Sequence, residues 1–341
     1  MNFQRLLIQG LMKLPSSWLV KMSGGEPLVI DGRTMDPRVQ LLAAQGAKGP
    51  SLTTLSPIEA RQATKAGFAL MDAPLPEGVS VESRVIPGPT QPLPVRIYRP
   101  VNASGTLPGL VYFHMGGCVI GDLDTCHAFC GMIASRAQCV VMSVDYRLAP
   151  EHKFPAAVDD AVAAYRWACA NGAEIGMDTG RIGVGGDSAG GYLSAVVAQT
   201  MKREGGLQPR VQLLIYPVTD MEARGGSMDS CASCYPLTRE IMHWFIEHYL
   251  NATQEAGDVR ASPMKSDDLS GLAPAIVATA GFDPLRDQGE EYARLLEKAG
   301  VPVSYRCYDS LAHAFTAMGG VIPAACTACE ELAGQVAAAL R

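Results

Sequence analysis

At 341 residues, with 48% hydrophobic side chains and a formal net charge of −6, the chain is long enough for one large α/β domain with an embellishment, or for two ordinary domains. The acidic balance and the lack of clustered Lys and Arg exclude nucleic acid as a partner and point to a small molecule. No apolar run approaches the roughly 18 residues that a membrane span needs.

At the N-terminus, Phe3, Leu6, Leu7, Leu11 and Leu14 recur at helical spacing, which predicts an amphipathic helix lying with its apolar face on the body. Gln9 and Lys13 break the apolar run and no small-residue cleavage site follows, so a signal peptide is not expected. A second short helix starts at Asp36 and Pro37 and runs through Leu41 and Leu42, with proline at the first helical position. A third starts at Ser56, where Glu59 completes a capping box. Residues 1–75 therefore read as an N-terminal helical unit, and Pro74 and Pro76 mark the hand-over to a different pattern.

From there strands and helices alternate. Short apolar runs at 79–85, 94–98, 109–113, 139–144, 181–185, 211–216, 275–280 and 303–308 read as strands, with helical segments such as 156–170 and 287–299 between the later ones. Near-continuous apolar strands separated by helices imply a mostly parallel eight-stranded sheet covered on both faces. Ligands bind such sheets at the carboxyl ends of the strands. Residues 76–217 and 263–341 make up this body. The interval 218–262 holds no strand but carries an apolar helical stretch from Leu237 to Leu250. Inserted above the active end of the sheet it forms a cap beside the N-terminal helices; the other reading is a surface helix packed on the sheet.

Gly186-Asp187-Ser188-Ala189-Gly190 follows the strand at 181–185 and precedes Leu193, Val196, Val197 and Met201 at helical spacing. This is the pattern of a nucleophile elbow, in which glycines flank a serine on a strand-to-helix turn too crowded for a Cβ. A serine hydroxyl needs a base and an orienting carboxylate. His313 follows the last strand and comes late in the chain, as the order serine, acid, histidine requires. The acid ends the preceding strand at Asp283, with Asp287 in reserve, although that residue reads better as the cap of its helix. Donors for the oxyanion come from the loop after the strand at 109–113, where His114-Met115-Gly116-Gly117 lets Gly116 and Gly117 turn their N–H groups inward beside that of Ala189.

These motifs, with Val119 to Thr125, Asp145 to Glu151, Phe154 to Asp160, Asp283 to Asp287 and Ala312 to Phe315, resemble the bacterial hormone-sensitive-lipase family (family IV) of esterases, within the α/β-hydrolase fold. The form of the elbow points to the branch named for Gly-Asp-Ser-Ala-Gly. The resemblance runs from about residue 36 to the end and implies a serine carboxylesterase acting on small ester substrates, with the triad Ser188, Asp283 and His313 and no metal or organic cofactor. Amidase or lipase activity on the same triad, and non-catalytic ligand binding on this fold, are the alternatives. Dimers are common among similar proteins, so a homodimer is an open expectation.

The chain departs from the family at Met115, where the first of three glycines usually stands, and at Cys118, where a tryptophan often stands. A positive φ at Met115 would cost about 1–2 kcal/mol; otherwise its side chain reshapes the mouth of the pocket. His114 and Asp187 are expected to support the site, and Trp244 and Phe245 to line it. Asp145, Arg147 and Glu151 read as a buried ion pair fixing a loop, not as a catalytic group. The ten cysteines are scattered like small core residues, which suggests reduced thiols in a cytoplasm. The Cys-x-x-Cys pairs at 231/234 and 326/329 lie too far apart, without nearby histidines, for a zinc site.

Overall fold

The computed structural model describes residues 3–341, with side chains from Gln4 onward. In chain order it opens with α1 (Phe3–Leu11) and α2 (Ser16–Met22), then a small hairpin of β1 (Val29–Ile30) and β2 (Arg33–Thr34), then α3 (Pro37–Gly46) and α4 (Pro57–Met71). Asp36 caps α3 by accepting the Arg38 N–H, and Ser56 and Glu59 close the capping box of α4. The apolar face expected of the first helix is only partly covered. Leu6 and Leu7 are exposed while Met12 and Leu19 are buried, and the Phe3 side chain lies outside the described residues.

The body follows as β3 (Val79–Ile86), β4 (Leu93–Pro100), β5 (Leu107–Phe113), α5 (His127–Ala137), β6 (Val140–Val144), α6 (Ala156–Asn171), β7 (Met177–Asp187), α7 (Ala189–Arg203) and β8 (Gln212–Ile215). The interval before the next strand contains α8 (Ser227–Ser230) and α9 (Arg239–Tyr249), and the chain ends with β9 (Ala275–Phe282), α10 (Arg286–Lys298), β10 (Val303–Ala312) and α11 (Pro323–Ala339). Eight strands form one sheet in the order β3-β4-β6-β5-β7-β8-β9-β10. β3 and β4 pair antiparallel, as do β4 and β6, and every other neighbour is parallel.

The near-continuous apolar strands have a direct cause. Along β5, Val111 and Phe113 point into a core shared with α6, α7 and α9, while Leu110 and Tyr112 point into one shared with α5 and α11. Both faces of the strand are dry, so neither set of alternate positions can be polar. Cys139 stands just ahead of its strand, not within it.

The ion pair expected among Asp145, Arg147 and Glu151 is differently partnered. The Arg147 guanidinium takes Asp160 of α6, at 2.7 to 3.0 Å, and the Arg147 N–H also donates to that carboxylate at 2.9 Å. The Asp160 side chain is fully buried and that of Arg147 is 10% exposed, whereas Glu151 pairs with Arg61 of α4. Asp145 stands apart, its carboxyl pushed up by burial. Removing one partner of a buried pair strands the other charge, which typically costs about 3–5 kcal/mol. Asp160→Ala is therefore expected to destabilise the fold by that order in urea denaturation, far more than Glu151→Ala.

Candidate active site

The turn between β7 and α7 is built by exclusion. A Cβ on Gly190 would stand 1.8 Å from the Phe113 carbonyl oxygen, and one on Gly186 would stand 2.4 Å from the Gly190 carbonyl carbon. Between them Ser188 adopts φ 55° and ψ −115°, a conformation that costs a non-glycine residue on the order of 1–3 kcal/mol and gathers at functional sites. Its N–H donates to Ile215 O at 2.8 Å, and β8 thereby fixes the strained turn. The hydroxyl is left at the start of α7.

β9 and β10 deliver the other two side chains. Asp283 comes directly after β9, and its Oδ1 accepts the Leu285 N–H at 2.8 Å. His313 comes directly after β10, whose register shifts between Tyr308 and Ala312, and is followed by Ala314 at φ 64°. The three groups meet in one line. Asp283 Oδ2 lies 2.7 Å from His313 Nδ1, and His313 Nε2 lies 2.9 Å from Ser188 Oγ. Only the tautomer with hydrogen on Nδ1 satisfies both contacts, the imidazole donating to the carboxylate and accepting from the hydroxyl. Asp283 is wholly buried, and Ser188 and His313 are 5% and 6% exposed. The Tyr216 ring lies 4.6 Å from the imidazole. Asp287, the reserve acid, points elsewhere. Its carboxylate accepts from Arg286 Nε and from the Ser227 N–H, and it sits inside the first turn of α10 without capping it.

Gly116 and Gly117 take φ 127° and 60°. A Cβ would fall 2.1 Å from Ile120 O at the first and 2.3 Å from Phe245 Cγ at the second. Ala189 opens α7, so its N–H has no acceptor within the helix. His114 is buried against Tyr146, with ring centroids 4.3 Å apart. Its Nδ1 lies 2.8 Å from Met115 O and its own carbonyl accepts from Tyr146 Oη at 2.7 Å. Asp187, directly before the serine, is fully buried. It accepts from Thr316 Oγ1 at 2.7 Å, Tyr216 Oη at 3.0 Å and Cys126 Sγ at 3.3 Å, which ties the elbow to the segment carrying His313.

The Ser188 pocket is lined by Gly117, Cys118 and Ala189, by Tyr192 of α7, by Val218 and Met221, and by Leu237, Met242, Phe245, Ile246 and Tyr249 on and before α9. The free space is about 30 Å³, room for about two waters. Two expected pocket residues are elsewhere. Met115 is buried in the core that holds Tyr112, Phe129 and Phe315. Its φ is not positive, so it is neither strained nor part of the mouth. Trp244 packs on His248 and Phe245 outside the pocket. The period of α9 contains the missing signal: Met242, Phe245, Ile246 and Tyr249 share one face, from whose centre residue 244 is turned by about 150°.

Cys231 and Cys234 lie against each other beside Arg286, the hydrogen bond from Cys234 holding the Cys231 thiol below its usual range. All ten cysteines are unpaired. Among the described residues no cluster of three or more His, Cys, Asp or Glu is placed to hold a metal ion, and no helix is long and apolar enough to cross a membrane.

Residues 110–317 match the profile of a family described by the alpha/beta hydrolase fold. The chain is 43% identical over 304 residues to the carboxylic ester hydrolase LipN of Mycobacterium tuberculosis, a match covering 86% of this chain and 80% of that protein. It is 41% identical over 233 residues to an ethyl acetate hydrolase of Pseudomonas putida, covering 67% and 73%. Among solved structures, a thermostable esterase from Pseudomonas putida superposes with a TM-score of 0.85 at 34% identity, covering 89% of this chain and 97% of that one.

Proposed function

The chain belongs to the hormone-sensitive-lipase family of the α/β-hydrolase fold and is a carboxylic ester hydrolase, and from that premise we propose that Ser188, His313 and Asp283 perform an acyl transfer on small esters. His313 Nε2 takes the Ser188 proton as the oxygen attacks the ester carbonyl, and Asp283 stabilises the imidazolium that forms. The N–H groups of Gly116, Gly117 and Ala189 receive the oxyanion. As the tetrahedral intermediate collapses, His313 returns the proton to the leaving alcohol. Water then attacks the acyl-enzyme with the same base, and the acid is released. The observation that carries this reading is the unbroken line from carboxylate to imidazole to hydroxyl, ending at an apolar pocket.

Segments 1–75 and 218–262 act as the cap, with α9 supplying one wall of the pocket, and 76–217 with 263–341 form the catalytic body. His114 and Asp187 support the site from below, through the oxyanion loop and the elbow respectively. The unpaired thiols favour work in a reducing cytoplasm.

Phe245, Ile246 and Tyr249 of α9 wall the apolar pocket beside Ser188, which favours short to medium acyl chains. Across p-nitrophenyl esters of rising chain length, kcat/KM is expected to peak among the short chains and to fall steadily as the chain grows. A maximum beyond about ten carbons would contradict this substrate range.

A further inference from the structure

Arg61 lies on α4, in the N-terminal segment, and does not line the Ser188 pocket. Its guanidinium is nevertheless committed to the loop that carries Gly116 and Gly117. Nε donates to Val119 O at 2.8 Å, and Nη2 donates to Ala149 O at 2.8 Å and to Glu151 Oε2 at 2.6 Å. Nη1 donates to Glu151 Oε1 at 2.8 Å. Two of these contacts reach the oxyanion loop. Val119 belongs to the turn in which its own N–H and that of Ile120 both donate to Gly116 O at 2.9 Å, and the Ala149 N–H donates to Cys118 O at 2.8 Å. Arg61 thus holds the turn directly through Val119 O, and holds the Ala149 backbone that in turn binds Cys118 O.

We propose that Arg61 is a positioning residue for the oxyanion loop, holding the 116–120 turn so that the Gly116 and Gly117 N–H groups face the carbonyl attacked by Ser188. This rests on the acyl-transfer reading given above. Two successive glycines have no side chains with which to anchor themselves, so the loop depends on contacts made to its carbonyls. Oxyanion donors work only when held about 2.7–3.1 Å from the developing charge, and a displacement near 1 Å can cost on the order of 100-fold in rate. The planar fork of arginine meets two carbonyls and a carboxylate at once, which the point charge of lysine cannot do. Lys65, one turn further along α4, pairs with Asp122 and Asp124 at the exposed end of the same loop and provides the comparison.

The test measures kcat and KM for p-nitrophenyl acetate, together with inactivation by a p-nitrophenyl phosphonate, in wild type, Arg61→Ala, Arg61→Lys and Lys65→Ala. Arg61→Ala is expected to lower kcat about 10- to 100-fold with KM changed little, and to slow phosphonate inactivation in parallel, because the phosphoryl oxygen occupies the same place. Arg61→Lys should recover only a small part. Guanidinium at a non-denaturing concentration should restore turnover to Arg61→Ala and leave wild type unchanged. Lys65→Ala should stay within about twofold of wild type, as for other exposed pairs. The proposal is overturned if Arg61→Ala keeps wild-type kcat, if Lys65→Ala loses as much, or if the loss is wholly in KM and guanidinium does not relieve it. Should Arg61→Ala fail to fold, Arg61→Lys decides alone, and a wild-type kcat in that variant overturns the proposal. The acyl-transfer reading is checked separately by the p-nitrophenol burst of wild type, which must vanish in Ser188→Ala whatever Arg61 does.

Discussion

Ser188→Ala is expected to reduce ester turnover by about 10⁵-fold or more, the scale on which loss of a nucleophile removes covalent catalysis while binding and oxyanion contacts persist. The fold should survive. The elbow is defined by the contacts of Gly186 and Gly190 and by the Ser188 N–H to Ile215 O, none of which uses the hydroxyl. The substitution removes the hydrogen bond between Oγ and His313 Nε2 and leaves the backbone of the turn in place. The variant should therefore unfold at nearly the wild-type denaturant concentration, still bind substrate, and release no burst of p-nitrophenol from p-nitrophenyl acetate. An undiminished burst would place the nucleophile elsewhere.

The second large effect is at Asp283. Asp283→Asn should lower kcat about 10⁴-fold with little change in KM, the magnitude known where an amide replaces the acid of such a triad. The cause is the tautomer. An asparagine that kept the Leu285 N–H on its oxygen would turn its NH₂ toward His313 Nδ1, forcing hydrogen onto Nε2, where it faces the Ser188 hydroxyl and can no longer accept from it. Asp287→Asn is the matched comparison. Its carboxylate serves Arg286 and the Ser227 N–H, so its loss should be felt mainly in stability. Steady-state kinetics on the two variants separate the acids, and a larger loss of kcat at 287 than at 283 would reverse their roles.

Much of this was legible in the residues because hard local constraints carried it. The glycines of the elbow are demanded by backbone approaches of 1.8 to 2.4 Å, and no other side chain fits. Ser56 with Glu59, and Asp36 with Pro37, mark helix starts through caps that act within three residues. The strands were readable because a sheet dry on both faces leaves no polar alternation. What escaped was mostly long-range. Arg147 takes Asp160, not Glu151, since partner choice follows from how α6 packs on the sheet. Met115 leaves the pocket because its backbone turns it into the opposite core. The exposure of Leu6 and Leu7 shows that amphipathic spacing predicts a face without fixing what covers it. Two misses were avoidable: Asp31-Gly32 between Ile30 and Arg33 is a strong hairpin signal, and the period of α9 separates Phe245 from Trp244.

The central claim is that one hydroxyl, at Ser188, carries the acyl group. The most direct measurement is intact-mass and peptide analysis after inactivation with a p-nitrophenyl phosphonate. The expected result is one phosphonyl group per chain on the peptide containing Ser188, one p-nitrophenol released for each active site lost, and no labelling of Ser188→Ala. A label on any other residue, or full inactivation with Ser188 unmodified, would contradict the account.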